Sequence, residues 1–162
     1  MYDIISLVLS FFLGLIFLWF TYTIVNIVVT FFRCRKQDHS LQFCFNTGGK
    51  IFYIIAAIIY LIAVIGGLGL IIYGIITARM SYFHNGLNIA AFFTVVFAYF
   101  ASTIVLVGRK NLMVGRMLID YRKLKKVNFT YNNKVTFVYA QKDYSFSTRF
   151  IDKTKLRKMI SR

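Results

Sequence analysis

Of the 162 residues, 59% are hydrophobic and 19% aromatic, yet 20 Lys and Arg stand against five Asp and no Glu, a formal charge of +15. That composition excludes an ordinary soluble domain, in which about half the residues are apolar. A chain both this apolar and this basic must keep the two characters apart in space, and 15 of the 20 cations follow residue 108, where only Asp120, Asp143 and Asp152 oppose them.

About 20 consecutive apolar residues cross a bilayer as a helix. Residues 4–32 carry no charge and predict a first span. This run is too long for a signal peptide and lacks both a basic leader and a small-residue cleavage pattern. Residues 51–77 and 87–107 are also uncharged and predict a second and a third span. Runs of 27 to 29 residues exceed a typical bilayer, so the first two helices are expected to tilt or protrude. Lys and Arg in the flanks set orientation. The loop 33–50 has Arg33, Arg35, Lys36 and Lys50, the loop 78–86 has Arg79 alone, and the tail has 15 cations. Loop and tail therefore share the cytosolic side, with the N-terminus outside.

Cys34 and Cys44 fall in that cytosolic loop, where a reducing compartment disfavours a disulfide. With His39 between them they form Cys-x4-His-x4-Cys, which lacks a fourth ligand and a common zinc spacing, so free thiols and no metal are expected. On the second span Ala56, Ala63, Gly67, Gly74 and Ala78 recur within about 60° of one another. The third span offers Ala91, Ala98 and Ser102. Small-residue stripes let helices approach closely. Two readings stand: the stripes pack within one subunit, or one of them makes a homo-oligomer contact. Three helices alone have little interior, so self-association is expected on either reading.

No acid, base or histidine lies inside the spans, which argues against proton relays and ion-coupled transport. An oligomeric pore lined by Ser and Thr is a minor reading. His39 and His84 both fall in loops, and neither lies near a candidate nucleophile. With no Gly-rich phosphate loop and no HExxH pattern, the chain is expected to be no enzyme and to need no cofactor.

From residue 109 short alternating runs predict antiparallel strands: 111–121 as one or two strands around Gly115, then 124–131, 134–140 and 144–150. Val127, Phe129 and Tyr131 share one face, as do Val135, Phe137 and Tyr139, and Tyr144, Phe146 and Phe150. A two-residue loop at Asn132-Asn133 would send neighbouring apolar faces to opposite sides. A three-residue loop, 131–133, instead pairs Phe129 with Val135 and Val127 with Phe137, and puts Asn133 in the left-handed region that Asn tolerates. Asp152 is the expected N-cap of a last helix, 153–161, whose Leu156, Met159 and Ile160 either close the sheet or lie on the inner leaflet. The fold class expected is therefore three transmembrane α-helices (1–108) and a small α+β cytosolic domain (109–162), an antiparallel sheet with a C-terminal helix.

The solvent face of that sheet should carry Lys126, Asn128, Thr136, Ser145, Ser147 and Arg149, with Arg122, Lys123 and Lys125 beside it: donors and cations without an acid. A basic juxtamembrane tail can do no more than satisfy the positive-inside rule. An excess of +12 over 54 residues (15 minus 3) is large for that job and points to a polyanionic ligand. Arg122, Lys123, Lys125, Lys126, Asn128, Ser145, Ser147 and Arg149 are the expected ligand-binding set.

The run GRMLIDYRKLKKVNFTYNNKVTFVYAQKDYSFSTRFIDKTKLRKMI resembles the tail of small bacterial membrane proteins with PH-like cytosolic modules. In those, an aromatic-basic segment such as Tyr121-Arg122-Lys123-Leu124 precedes a hairpin and a C-terminal helix. The resemblance covers 46 residues, about half a full PH domain, and implies a shortened relative. In layout, size and charge the chain is also similar to CRISPR-associated membrane effectors that answer to cyclic oligoadenylates. These resemblances imply a multi-pass protein of a bacterial inner membrane, a ligand that is a nucleotide second messenger or an anionic lipid headgroup, and a role in antiviral defence. Duplex nucleic acid is not an expected partner. The alternative expectation is a membrane accessory subunit, or an immunity protein against a membrane-active toxin.

Overall fold

The computed structural model describes residues 2–130 and 133–160. The expected apolar position Tyr131, the loop residue Asn132, the end of the last helix at residue 161 and the cation Arg162 lie outside the described residues. In chain order the elements are α1 (Tyr2–Gln37), β1 (Gln42–Phe43), α2 (Thr47–Ile76), α3 (Met80–Ser102), β2 (Val105–Val107), β3 (Asn111–Val114), β4 (Met117–Asp120), a 3-10 turn (Tyr121–Lys123), β5 (Lys125–Thr130), β6 (Lys134–Tyr139), β7 (Lys142–Ser147) and α4 (Lys153–Ile160). Three helices, Val8–Gln37, Thr47–Ile76 and Met80–Ser102, are long and apolar enough to cross a membrane.

The third apolar run, expected to be helical to Val107, stops at Ser102, and Val105–Val107 is a strand buried at all three positions. A short run of branched apolar residues satisfies a buried strand as well as a helix, so periodicity alone does not separate them. At the other end, α3 begins at Met80 and takes in His84, which the sequence placed in a loop. Contrary to the expectation that no nucleophile lies near it, His84 shares a hydrogen bond through Nδ1 with the Ser10 hydroxyl of α1.

The chain divides into two compact units. The first holds the residues up to Val25 and Ile54–Phe100. Here α2 ends in a helix-terminating turn: Arg79 donates its amide to the Gly74 carbonyl, Ala78 donates to Ile75, and Ala78 adopts a left-handed φ of 51°. The turn sends α3 straight back along α2. A Cβ on Gly67 would stand 2.9 Å from the Gly86 carbonyl oxygen, and one on Gly74 would stand 2.6 Å from the Phe83 nitrogen. Gly67 and Gly74 thus face α3 of the same chain, the first against Gly86 and Ala90 and the second against Phe83. Ala78, counted on the same stripe, sits in the turn and is exposed. Thr94 is buried on α3 and satisfies its hydroxyl on the Ala90 carbonyl, 2.7 Å away. Most of α1 faces outward, with Trp19 68% exposed.

The second unit holds Asn26–Tyr53 and the chain from Ala101 onward, so the end of α1, strand β1 and the start of α2 join residues that the sequence divided at 108. Instead of one sheet there are two, both antiparallel: β1-β2-β3-β4 and β5-β6-β7. Val105, Val107, Leu112 and Ile119 of the first share a core with Val135, Phe137 and Phe146 of the second. Leu156 of α4 is fully buried in that core, and Met159 and Ile160 pack beside it, so α4 closes the unit. Asp152 caps α4 by accepting from the Thr154 and Lys155 amides at 3.0 and 3.1 Å. The β5–β6 hairpin pairs Thr130 with Lys134 and Phe129 with Val135, which is the three-residue loop, and Asn133 has φ 52°. Further along, the register shifts between Lys125 and Asn128, where Lys126 has φ 51°, so the ladder is interrupted before Val127 and Phe137. Cys34 and Cys44 are buried in separate clusters. Burial raises the Cys44 thiol to a pKa of about 11 and keeps it uncharged.

Candidate anion-binding face

On β6 and β7 the residues 135, 137, 144 and 146 point into the core, and their neighbours in sequence point out. Register then assembles the outer face in rows. Asn128, Thr136 and Ser145 lie side by side across the three strands. On one side of that row are Thr130, Lys134 and Ser147; on the other are Lys125, Val138 and Asp143. Asn128 and the two serines of the expected set are therefore neighbours, in a field of one amide, hydroxyls and an ammonium. Such groups are donors suited to phosphate oxygens.

The remaining members of the set are spread around this field. Lys125 is on it. Lys126 occupies the irregular position in β5. Arg122 and Lys123 are exposed in the 3-10 turn that precedes β5, anchored by Asp120, which accepts from the Arg122 amide at 2.9 Å. Arg149 lies past the other end of β7, its guanidinium 5.8 Å from the centre of the Phe150 ring. Arg149 and the Arg122–Lys123 pair thus flank opposite ends of the outer face and do not converge on one point. The expectation of an acid-free face is corrected by Asp143, which register places opposite Val138 on that face. Lys134 and Thr130 were missed, although a three-residue loop already implies that they are opposite one another.

The other acids of this unit are occupied locally. Asp38 accepts from the Ser40 amide and hydroxyl and from Asn111, so its carboxyl, which burial pulls up, ends below the usual range. Asp120 and Asp152 serve as caps. Between the sheets, the gap lined by Leu112, Leu124, Val127, Val135, Phe137, Phe146 and Ile160 has no room for a water. Three long apolar helices and a basic two-sheet unit closed by a helix define the class of this chain. No family model matches the sequence, and comparisons with curated proteins and with solved structures find no significant match.

Proposed function

We propose that the chain is a non-enzymatic, oligomeric membrane sensor or effector whose basic unit binds a phosphate-rich ligand and biases the packing of the helices. The observation that carries this reading is the outer face of β5-β6-β7, where Asn128, Thr136 and Ser145 adjoin Lys134 and Ser147 while Asp38, Asp120 and Asp152 are held by local hydrogen bonds. The face presents hydroxyls, an amide and ammonium groups, with the one carboxylate, Asp143, at the Lys125 end and no imidazole or thiol, which suits binding rather than catalysis. Three apolar helices with outward aliphatic and aromatic side chains support a place in a bilayer. The basic residues that end α1 belong to the same compact unit as the basic tail, which supports a cytosolic place for both under the positive-inside rule. The strands and C-terminal helix are compatible with a PH-like module, and β1, β2 and β3 lie outside the 46-residue run that suggests it.

The test uses the whole chain in nanodiscs of neutral lipid. Cyclic oligoadenylates and cyclic dinucleotides form one titration arm, and inositol phosphates, standing in for lipid headgroups, form the other. One arm should show saturable binding that weakens with added salt. Lys134→Glu combined with Lys125→Glu should weaken it at least tenfold. Silence in both arms, or binding indifferent to the double reversal, refutes the reading and would favour the accessory-subunit alternative, which needs no anion.

A further inference from the structure

A sheet edge carries a row of unpaired backbone donors and acceptors and is a ready template for another strand. The edges of this unit are not equally protected. β4 is four residues long. The register shift in β5 and its two lysines, Lys125 and Lys126, are devices that blunt an edge. β7 is longer than β4 and has no register shift; its charges, Lys142 and Asp143, stand at its first two positions and leave Tyr144–Ser147 uncharged. Its six residues pair with β6 in unbroken register, from Tyr139 opposite Lys142 to Lys134 opposite Ser147. Among the described residues, no backbone hydrogen bond reaches Lys142–Ser147 from any other segment.

The turn that begins β7 shows which groups are free. Ala140 and Gln141 have φ of 48° and 64°, a two-residue turn with both central residues left-handed. Such a turn is closed by a hydrogen-bonded pair, here Tyr139 and Lys142, and bonded pairs alternate with non-bonded ones along the ladder. Lys142, Tyr144 and Phe146 therefore bond to β6. Asp143, Ser145 and Ser147 aim their amides and carbonyls away from the sheet, and their side chains are exposed.

We propose that this edge is a self-association site, where β7 pairs antiparallel with β7 of a second copy and joins two three-stranded sheets into one. Register follows from the same groups. Residues directly opposite must share a face, so the sum of their numbers is even. With Ser145 opposite Ser145, Asp143 falls opposite Ser147 on both sides of the two-fold axis, and three bonded pairs exchange about six hydrogen bonds. Sliding by two residues either way leaves two such pairs. With Tyr144 opposite itself, the two Asp143 side chains also become diagonal neighbours, which like charges disfavour. Around Ser145, by contrast, each Asp143 faces an uncharged Ser147 and the two carboxylates stay apart. The self-paired edge goes beyond the ligand reading and does not depend on it.

Cross-linking of the full-length chain in native membranes tests this. Bonded antiparallel pairs hold Cα atoms about 5.5 Å apart, inside the range of about 4.4–6.8 Å that a disulfide spans. Under mild oxidation Ser145→Cys should give a covalent dimer in most of the chain. Asn128→Cys, an exposed position on β5, should give less than a tenth as much. Cys34 and Cys44 are buried and serve as an internal background. Ser145→Pro removes an outward amide, leaves the bonds to β6 intact, and should halve the particle mass in detergent without lowering β content. A Ser145→Cys chain that melts like the wild type yet stays uncross-linked overturns the proposal. So does dimerisation that survives Ser145→Pro. Tyr144→Cys cross-linking in place of Ser145→Cys overturns the register. None of these readouts depends on a phosphate ligand, so failure here is distinguishable from failure of the anion-binding reading.

Discussion

The β3–β4 turn depends on Gly115, and replacing it with Ala should destabilise the second unit measurably. Gly115 has φ 57° and donates its amide to the Ile104 carbonyl at 2.9 Å, so the turn is held against the segment that leaves α3. A left-handed conformation costs a residue with a Cβ roughly 1–2 kcal/mol. The added Cβ would also stand 2.5 Å from the Ser102 carbonyl oxygen, a backbone atom that cannot swing aside. Overpacking of that kind costs about 1–3 kcal/mol. Ala restricts the unfolded chain more than Gly does, which returns about 0.4–1 kcal/mol. The balance is a loss on the order of 2–4 kcal/mol. For a chain of this length each kcal/mol moves Tm by about 2–4 °C, so a drop of roughly 10 °C is expected. The assay is thermal unfolding of the full chain in detergent, followed by the β-sheet circular dichroism signal. Gly115→Asn separates the two causes, because Asn tolerates the left-handed region but carries the same Cβ; it should fall between Gly and Ala. Gly48→Ala is the control, since its Cβ would meet nothing nearer than 3.7 Å. Melting of Gly115→Ala within about 2 °C of the wild type, a shift below 1 kcal/mol, would refute the reasoning.

Two further outcomes test other parts of the molecule. Gly67→Val should separate α2 from α3, because its Cβ would lie 2.9 Å from the Gly86 oxygen and 3.1 Å from Ala90 Cβ. Gly66→Val, with nothing within 4 Å, should be tolerated, and equal melting temperatures for the two variants would remove close backbone contact as the reason for the small residues. Asp152→Ala should cost about 1 kcal/mol through loss of the α4 cap. The bonds from Thr154, above all its hydroxyl, together with the Lys155 amide, hold the Asp152 carboxyl below its usual value. A depressed folded pKa stabilises the fold above the ordinary carboxylate range, about pH 4, and that contribution fades as pH falls through the folded pKa. Asp152→Asn should therefore flatten part of the fall in Tm between pH 7 and pH 3, and an unchanged slope would count against the cap as its source.

Much of this molecule is determined locally. The three apolar helices follow from uncharged runs of bilayer length, and the Phe129–Val135 register follows from period-2 alternation that only a three-residue loop can satisfy. Asp152 was recognisable as a cap from its place before an amphipathic segment, and the neighbourhood of Asn128, Thr136 and Ser145 from side-chain alternation along the strands. Lys134 and Asp143 follow the same alternation as Thr136 and Ser145 and were legible on that face; the row that each one enters came only from pairing the strands.

Long-range pairing decided the rest. Val105–Val107 is as apolar as the helix before it, and it becomes a strand because β1 and β3 offer it hydrogen-bonding partners on both sides. Gln42 and Phe43 join a sheet whose other strands lie more than 60 residues away, a contact that no local pattern encodes. Gly86 looked like a loop residue until the turn at Thr77–Arg79 folded α3 back and laid it against Gly67. The physical reason is common to all three. Helix and strand signals are written in spacings of two to four residues, whereas the partner that satisfies a backbone amide or covers a glycine is chosen by the packed fold.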